Sequence, residues 1–249
     1  MKKVVLLSFL LFCVNSFLSA QSMRTLFVQM PDSIMPFLTK NNREDCVDFI
    51  DANMLARVTN RLDTKSELLQ FTSDYLHLKT SEAGSMQMKM LPVDGDTILC
   101  VINTVCAEAC DSRIAFYTRN WQPLDGSRYF KKPLIRDFFL DVNTPDSQLG
   151  SSNVSVDELT TAVKEAESLD ELLDIADIYL VHLTLSDREN ILTAEYTMPH
   201  YMLQGDSLRV APYLRKLSYR WTSKGFELEE KDYQNPQSSI KNFGDFGCL

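Results

Sequence analysis

The run from Ile98 to Val105 limits the possible folds of this chain more than any other stretch. It reads Ile-Leu-Cys-Val-Ile-Asn-Thr-Val, apolar on both parities over most of its length. Successive strand residues point to opposite faces of a sheet. A strand of this kind is therefore central and covered on both sides. The runs before it have one apolar parity only. Leu76 and Leu78 alternate with His77 and Lys79, and Met86, Met88 and Met90 alternate with Gln87 and Lys89. That is the two-residue period of a half-buried strand, and Asp94-Gly95 supplies a hairpin turn signal before Ile98. Ile114 to Tyr117 returns as a further strand, and Asn120-Trp121 ends the pattern.

The same period recurs later in the chain. Tyr179, Val181, Leu183 and Leu185 alternate with His182, Thr184 and Ser186. Leu192, Ala194, Tyr196 and Met198 form a second such run, and Leu217, Tyr219 and Trp221 a third, with Lys224-Gly225 turning into Phe226. One apolar face per strand predicts antiparallel sheets with one side wet.

Helical signals precede each group of strands. Asp32-Ser33 caps a short helix through Thr39. Asn41 and Glu44 have the spacing of a capping box, with Cys46, Phe49 and Ile50 as the buried stripe. Ser155 with Glu158 and Ser168 with Glu171 repeat that device, and a connecting helix over Phe130 to Val142 begins at Pro133. Two stretches also share wording: Asp74-Tyr-Leu-His-Leu-Lys-Thr-Ser-Glu82 and Tyr179-Leu-Val-His-Leu-Thr-Leu-Ser-Asp187. The expected class is α+β, as a tandem repeat of helix pair plus antiparallel β-sheet. The expected units are a first repeat over 21–142, a linker over 143–153, a second repeat over 154–233 and a loosely attached tail over 234–249.

Residues 1–20 read as a signal peptide. Lys2 and Lys3 precede an apolar run, Val4 to Val14, that is too short to span a bilayer, and Ala20 offers a cleavage point. This predicts export to the periplasm or beyond the cell, with no transmembrane segment. Loss of the leader would take the formal charge from −9 to −11. An acidic chain without a basic stripe argues against nucleic acid as a partner.

Few residues carry an obvious chemistry. Cys106 and Cys110, three residues apart at a predicted hairpin tip, are the candidate disulfide. A redox pair would have two intervening residues at a helix start, where the dipole favours a thiolate. Cys46 and Cys100 read as buried apolar residues, and Cys248 as a tail thiol able to join two copies of the chain. The three histidines are His77, His182 and His200. No Gly-x-Ser-x-Gly elbow, His-Glu-x-x-His motif or phosphate loop accompanies them, so the reading assigns no catalytic residue, metal or cofactor. His77 and His182 occupy matching positions of the repeated wording, on the polar parity of their strands. Trp121, between Asn120 and Gln122, is the candidate partner-binding anchor, with packing against the connecting helix as the alternative.

The runs Val58-Thr-Asn-Arg-Leu62, Asp74-Tyr-Leu-His-Leu78, Met88-Lys-Met-Leu-Pro92 and Cys110-Asp-Ser-Arg-Ile-Ala-Phe-Tyr117 resemble those of an uncharacterised family of secreted Bacteroidales proteins. That resemblance implies no activity and no catalytic residues. The tandem layout is also similar to the β-lactamase inhibitor protein fold, in architecture alone. The resulting expectation is a non-catalytic envelope protein that binds a protein or glycan partner through a sheet face or loops. The alternatives are a periplasmic hydrolase with His200 or His182 as base and a structural subunit of an envelope assembly.

Overall fold

The structure is a computed structural model and describes residues 22–140 and 168–229. Strands β1 (Arg57–Thr59), β2 (Lys65–Phe71), β3 (Tyr75–Lys79), β4 (Gly84–Val93), β5 (Asp96–Cys106), β6 (Cys110–Thr118) and β7 (Pro123–Leu124) form one seven-stranded antiparallel meander. Strands β8 (Val181–Leu185), β9 (Ile191–Tyr196), β10 (Leu217–Thr222) and β11 (Gly225–Leu228) form a second sheet in the order β11-β10-β9-β8. Four short helices complete the described fold: α1 (Met23–Val28), α2 (Lys40–Asp51), α3 (Leu169–Ile175) and α4 (Gln204–Val210). The class is therefore α+β, mostly β.

Strand β5 is covered on both faces, as its sequence requires. Leu99 and Val101 join Met86, Met88, Leu76 and Leu78 in a core closed by α1 and α2. Ile98, Cys100 and Ile102 belong to a second core shared with the smaller sheet. Asp94 and Gly95, both at positive φ, make the tight turn between β4 and β5, the conformation that a two-residue hairpin loop needs.

Arg43 anchors the helical layer. Its side chain is 2% exposed and donates to the carbonyls of Leu38 and Met30, each at 2.6 Å, while Asp32 lies 3.4 Å away. The capping box of α2 is Thr39 with Asn42, two positions before the expected pair. The segment expected as a helix after Asp32 is instead a turn, with the Ile34 and Met35 amides donating to the Pro31 carbonyl. Pro36 disfavours a helical conformation for Met35, which blocks propagation.

The second core is aromatic. Phe116 of β6 meets Tyr129, Trp221 and Phe226 at ring-centroid distances of 5.2, 6.3 and 6.4 Å. The Trp221 indole N–H donates to the Pro92 carbonyl at 2.8 Å. Gly225 is needed at the start of β11. A Cβ there would lie 2.8 Å from the Tyr129 carbonyl oxygen, and its φ of +152° disfavours other residues. The Phe226 amide donates to that same carbonyl at 2.7 Å.

Two expectations fail here. The connecting helix over Phe130 to Val142 is, in its described part, a single 3-10 turn at Ile135–Phe138. Phe130, Phe138 and Phe139 are buried in the second core, and the chain pairs with a distant segment. The Leu140 amide donates to Tyr213, and the Arg215 amide to Phe138. The tandem repeat of helix pairs is also not supported. One sheet has seven strands and the other four, and α4 interrupts the second between β9 and β10. The matching wording around His77 and His182 falls on strands in unlike settings. β3 is hydrogen-bonded to strands on both sides, whereas β8 is an edge. The signal segment 1–20, the linker 143–153, the helix expected from Ser155, the tail 234–249 and Cys248 lie outside the described residues.

Candidate functional site

A set of polar side chains, the buried Gln87, Lys89 and Thr197 among them, gathers where β8 meets the face of the first sheet. An edge strand has unpaired amides on its outer side. In β8 these amides find side-chain acceptors on the first sheet. Leu185 N–H donates to Gln87 Oε1 at 2.8 Å, Leu183 N–H to Ser112 Oγ at 3.0 Å and Val181 N–H to Asp111 Oδ1 at 3.4 Å. Just beyond β9, the Thr197 hydroxyl donates to the Cys110 carbonyl at 2.6 Å. The β8–β9 turn is fixed as well. Gln70 donates to Asp187 at 2.6 Å, and Lys89 Nζ lies 3.3 Å from the Asp187 carbonyl and 3.3 Å from Asp74.

Gln87 and Lys89 are only 8% and 0% exposed, which corrects the reading of their parity as a wet face. Burying a polar group costs free energy unless it is hydrogen-bonded, and here the incoming strand edge supplies the partners. Tyr75 lies in the same layer with Lys89 Nζ 5.6 Å from its ring centroid. Its hydroxyl pKa is pushed up to about 12, first by burial and then by the Asp187 charge.

His77 sits amid these bridges. Its cross-strand neighbours are Gln70 on β2 and Gln87 on β4, and both reach the second sheet. His182 lies on β8 between Val181 and Leu183 and faces Glu195 across the β8–β9 pair. Burial holds both imidazoles below their ordinary value, and the His182 charge lowers His77 further. Glu195 pulls His182 back up, and Lys216, 3.0 Å from Glu195, opposes it. Sequence placed the two histidines at matching positions. The fold makes them neighbours on different sheets.

The remaining candidates are dispersed. Cys106 and Cys110 face each other across the β5–β6 hairpin and are joined by a disulfide with Cα atoms 4.0 Å apart. Cys46 and Cys100 are free and buried, with burial pushing the Cys46 thiol up to about 12 and Cys100 in the same direction. A buried neutral thiol is a poor nucleophile. His200 is exposed in a 3-10 turn after β9. Trp121 is not an exposed anchor. It is 8% exposed and belongs to the core beneath α1 and α2, with the Tyr117 ring 5.7 Å away. Its φ of +62° closes the β6–β7 loop, a position usually given to glycine. Burial of the ring offsets that backbone cost.

Among the described residues no group of three or more His, Cys, Asp or Glu side chains could hold a metal ion. None of their helices is long and apolar enough to cross a membrane.

Fold and junction together define a mostly β, two-sheet α+β protein with a polar inter-sheet joint. The chain belongs to a family described as "Protein of unknown function (DUF3256)", whose model matches residues 16–226. No curated protein matches it. Among solved structures it is similar to a domain of an uncharacterized protein from Porphyromonas gingivalis W83, with 24% identity and a TM-score of 0.65. That alignment covers 84% of this chain and 98% of the other. At this identity the likeness shows the fold alone.

Proposed function

We propose that the protein is an exported, non-catalytic component of a Bacteroidales cell envelope that binds a protein or glycan partner. The observation that carries this reading is the outward face of the second sheet. Thr184, Thr193, Glu195, Ser218 and Arg220 alternate with the buried core residues of β8 to β10 and stay in contact with water. The opposite face of that sheet and both faces of β5 are used up in packing. The connection after β9 adds exposed Tyr201 and Leu203, the latter 79% exposed. A polar sheet face flanked by exposed apolar side chains suits recognition of a partner surface.

Export is supported by the Lys2-Lys3 start with its apolar run and by the Cys106–Cys110 disulfide, which persists in oxidising compartments. Among the described residues neither His77 nor His182 is hydrogen-bonded to a serine or cysteine, so the nucleophile-base contact of a hydrolase has no counterpart at the junction.

Photo-crosslinkers placed at Thr184 and Arg220, and at Asp48 on α2 as control, would test the reading in native envelope extract. Adducts are expected from the two sheet positions and not from Asp48. Equal labelling from all three, or none, would contradict it.

A further inference from the structure

The joint between the sheets holds two imidazoles whose place among the bridging contacts gives them a role. His77 is flanked in register by Gln70 and Gln87, and these are the glutamines that reach Asp187 and the Leu185 amide. His182 lies between Val181 and Leu183, whose amides are held by Asp111 and Ser112. We infer that His77 and His182 form an acid-operated release, in which protonation of both rings loosens β8 from the first sheet.

The charged groups around the pair decide the sign. On the first sheet, Lys79 follows His77 on the same parity, with Glu67 opposite it. Tyr75 precedes His77 on that parity, and Lys89, directly across from Tyr75, is paired to Asp74. From the second sheet come Asp187, whose carboxylate accepts from Gln70 and whose backbone carbonyl accepts from Lys89, and Glu195, which pairs with Lys216 and faces His182. Asp111 accepts the Val181 amide. Asp74 and Glu195 are thus paired to lysines, the Asp111 and Asp187 carboxylates are engaged by neutral amide donors, and the charge of one imidazolium opposes that of the other. Among the described residues neither ring makes a hydrogen bond, and His182 shares Glu195 with Lys216, so protonation of both rings leaves half-buried charge that is only partly compensated.

The linkage follows directly. Both histidines have folded-state values below the ordinary one of about 6.5. The unfolded or undocked chain therefore binds more protons. Stability is complete above about pH 6.5 and falls as pH drops through the folded values. Carboxylates that titrate near pH 4 act at lower pH.

The chain has only three histidines, which makes the test clean. The denaturant midpoint of the wild type is expected to fall between about pH 7.5 and pH 5.5. His77→Gln and His182→Gln should each reduce that fall, and His200→Gln should retain it. Ring titration by NMR should show the His77 midpoint rising in H182Q. As the wild type is acidified, the Leu183 and Leu185 amides should lose exchange protection, corrected for intrinsic rate, before Leu99 and Val101. A wild-type midpoint that does not move over this range overturns the inference. So does an unchanged His77 titration in H182Q, or loss of protection in β5 and β8 together. If H77Q does not fold, the wild-type and H182Q measurements decide alone.

Discussion

The two faces of the first sheet are built on different rules. Toward α1 and α2 the centre of the face is dry, and its buried polar residues Asn60, Ser66 and Thr80 bond one another at the β1–β2 end. Leu76, Leu78, Met86 and Met88 are fully buried in one cluster with Met23, Leu26 and Phe27 of α1 and Cys46 and Val47 of α2. Toward the second sheet the face is mixed. Ile98, Cys100, Ile102 and Phe116 lie beside Gln87 and Lys89, all of them buried. The difference lies in what covers each face. A helix satisfies its own backbone and offers apolar side chains. A strand edge arrives with bare amides and needs acceptors. Polar residues on a buried sheet face can thus be the complement of a particular neighbour.

That contrast can be broken by substitution. The largest effect is expected at Phe116, which touches Tyr129, Trp221 and Phe226. Phe116→Ala should cost about 3–5 kcal/mol in a denaturant titration. Gln87→Leu leaves the Leu185 amide without its acceptor and should lose up to about 3 kcal/mol. Met88→Leu, on the dry face of the same strand, should cost less than about 1.5 kcal/mol. A polar-to-apolar change that proved harmless at Gln87 would remove the distinction between the faces.

Replacing Cys106 and Cys110 together by serine opens a short loop and should lower stability by about 2 kcal/mol on the chain-entropy scale. The effect should concentrate at the joint, since Cys110 is bonded to Thr197 through both its amide and its carbonyl. Thr39→Ala removes one half of the α2 capping box and should cost about 1 kcal/mol. That loss should leave the joint untouched, which exchange at β8 would show.

The dry face was legible in the sequence because its pattern is local. Met86 and Met88 alternate within one strand, and β5 shows its burial by itself. Asp94-Gly95 and the Ser168 cap of α3 act within a few residues and were readable for the same reason. The mixed face was not legible. Gln87 and Lys89 read as solvent-facing because their partners, Leu185 and Asp187, lie 98 residues further along the chain. Helices α1 and α4 span 6 and 7 residues, too short to form without tertiary packing. α4 is held to α3 by the Arg209–Glu171 ion pair. For Trp121 the sequence left an exposed anchor and a packed ring both open, because a loop position has no burial period, and the fold packs it. His77 and His182 were visible as a matched pair, but the match suggested equivalent places in two copies instead of electrostatic neighbours on different sheets.

The central claim is that side chains of the first sheet close the outer edge of β8, where no other strand pairs among the described residues. Amide hydrogen exchange near neutral pH tests it most directly. Leu183 and Leu185 should exchange as slowly as His182 and Thr184, the β8 residues that alternate with them along the strand, and Gln87→Leu should speed Leu185 selectively. Rapid exchange of Leu183 and Leu185 in the unmodified protein, at the rate of a bare strand edge, would contradict the account.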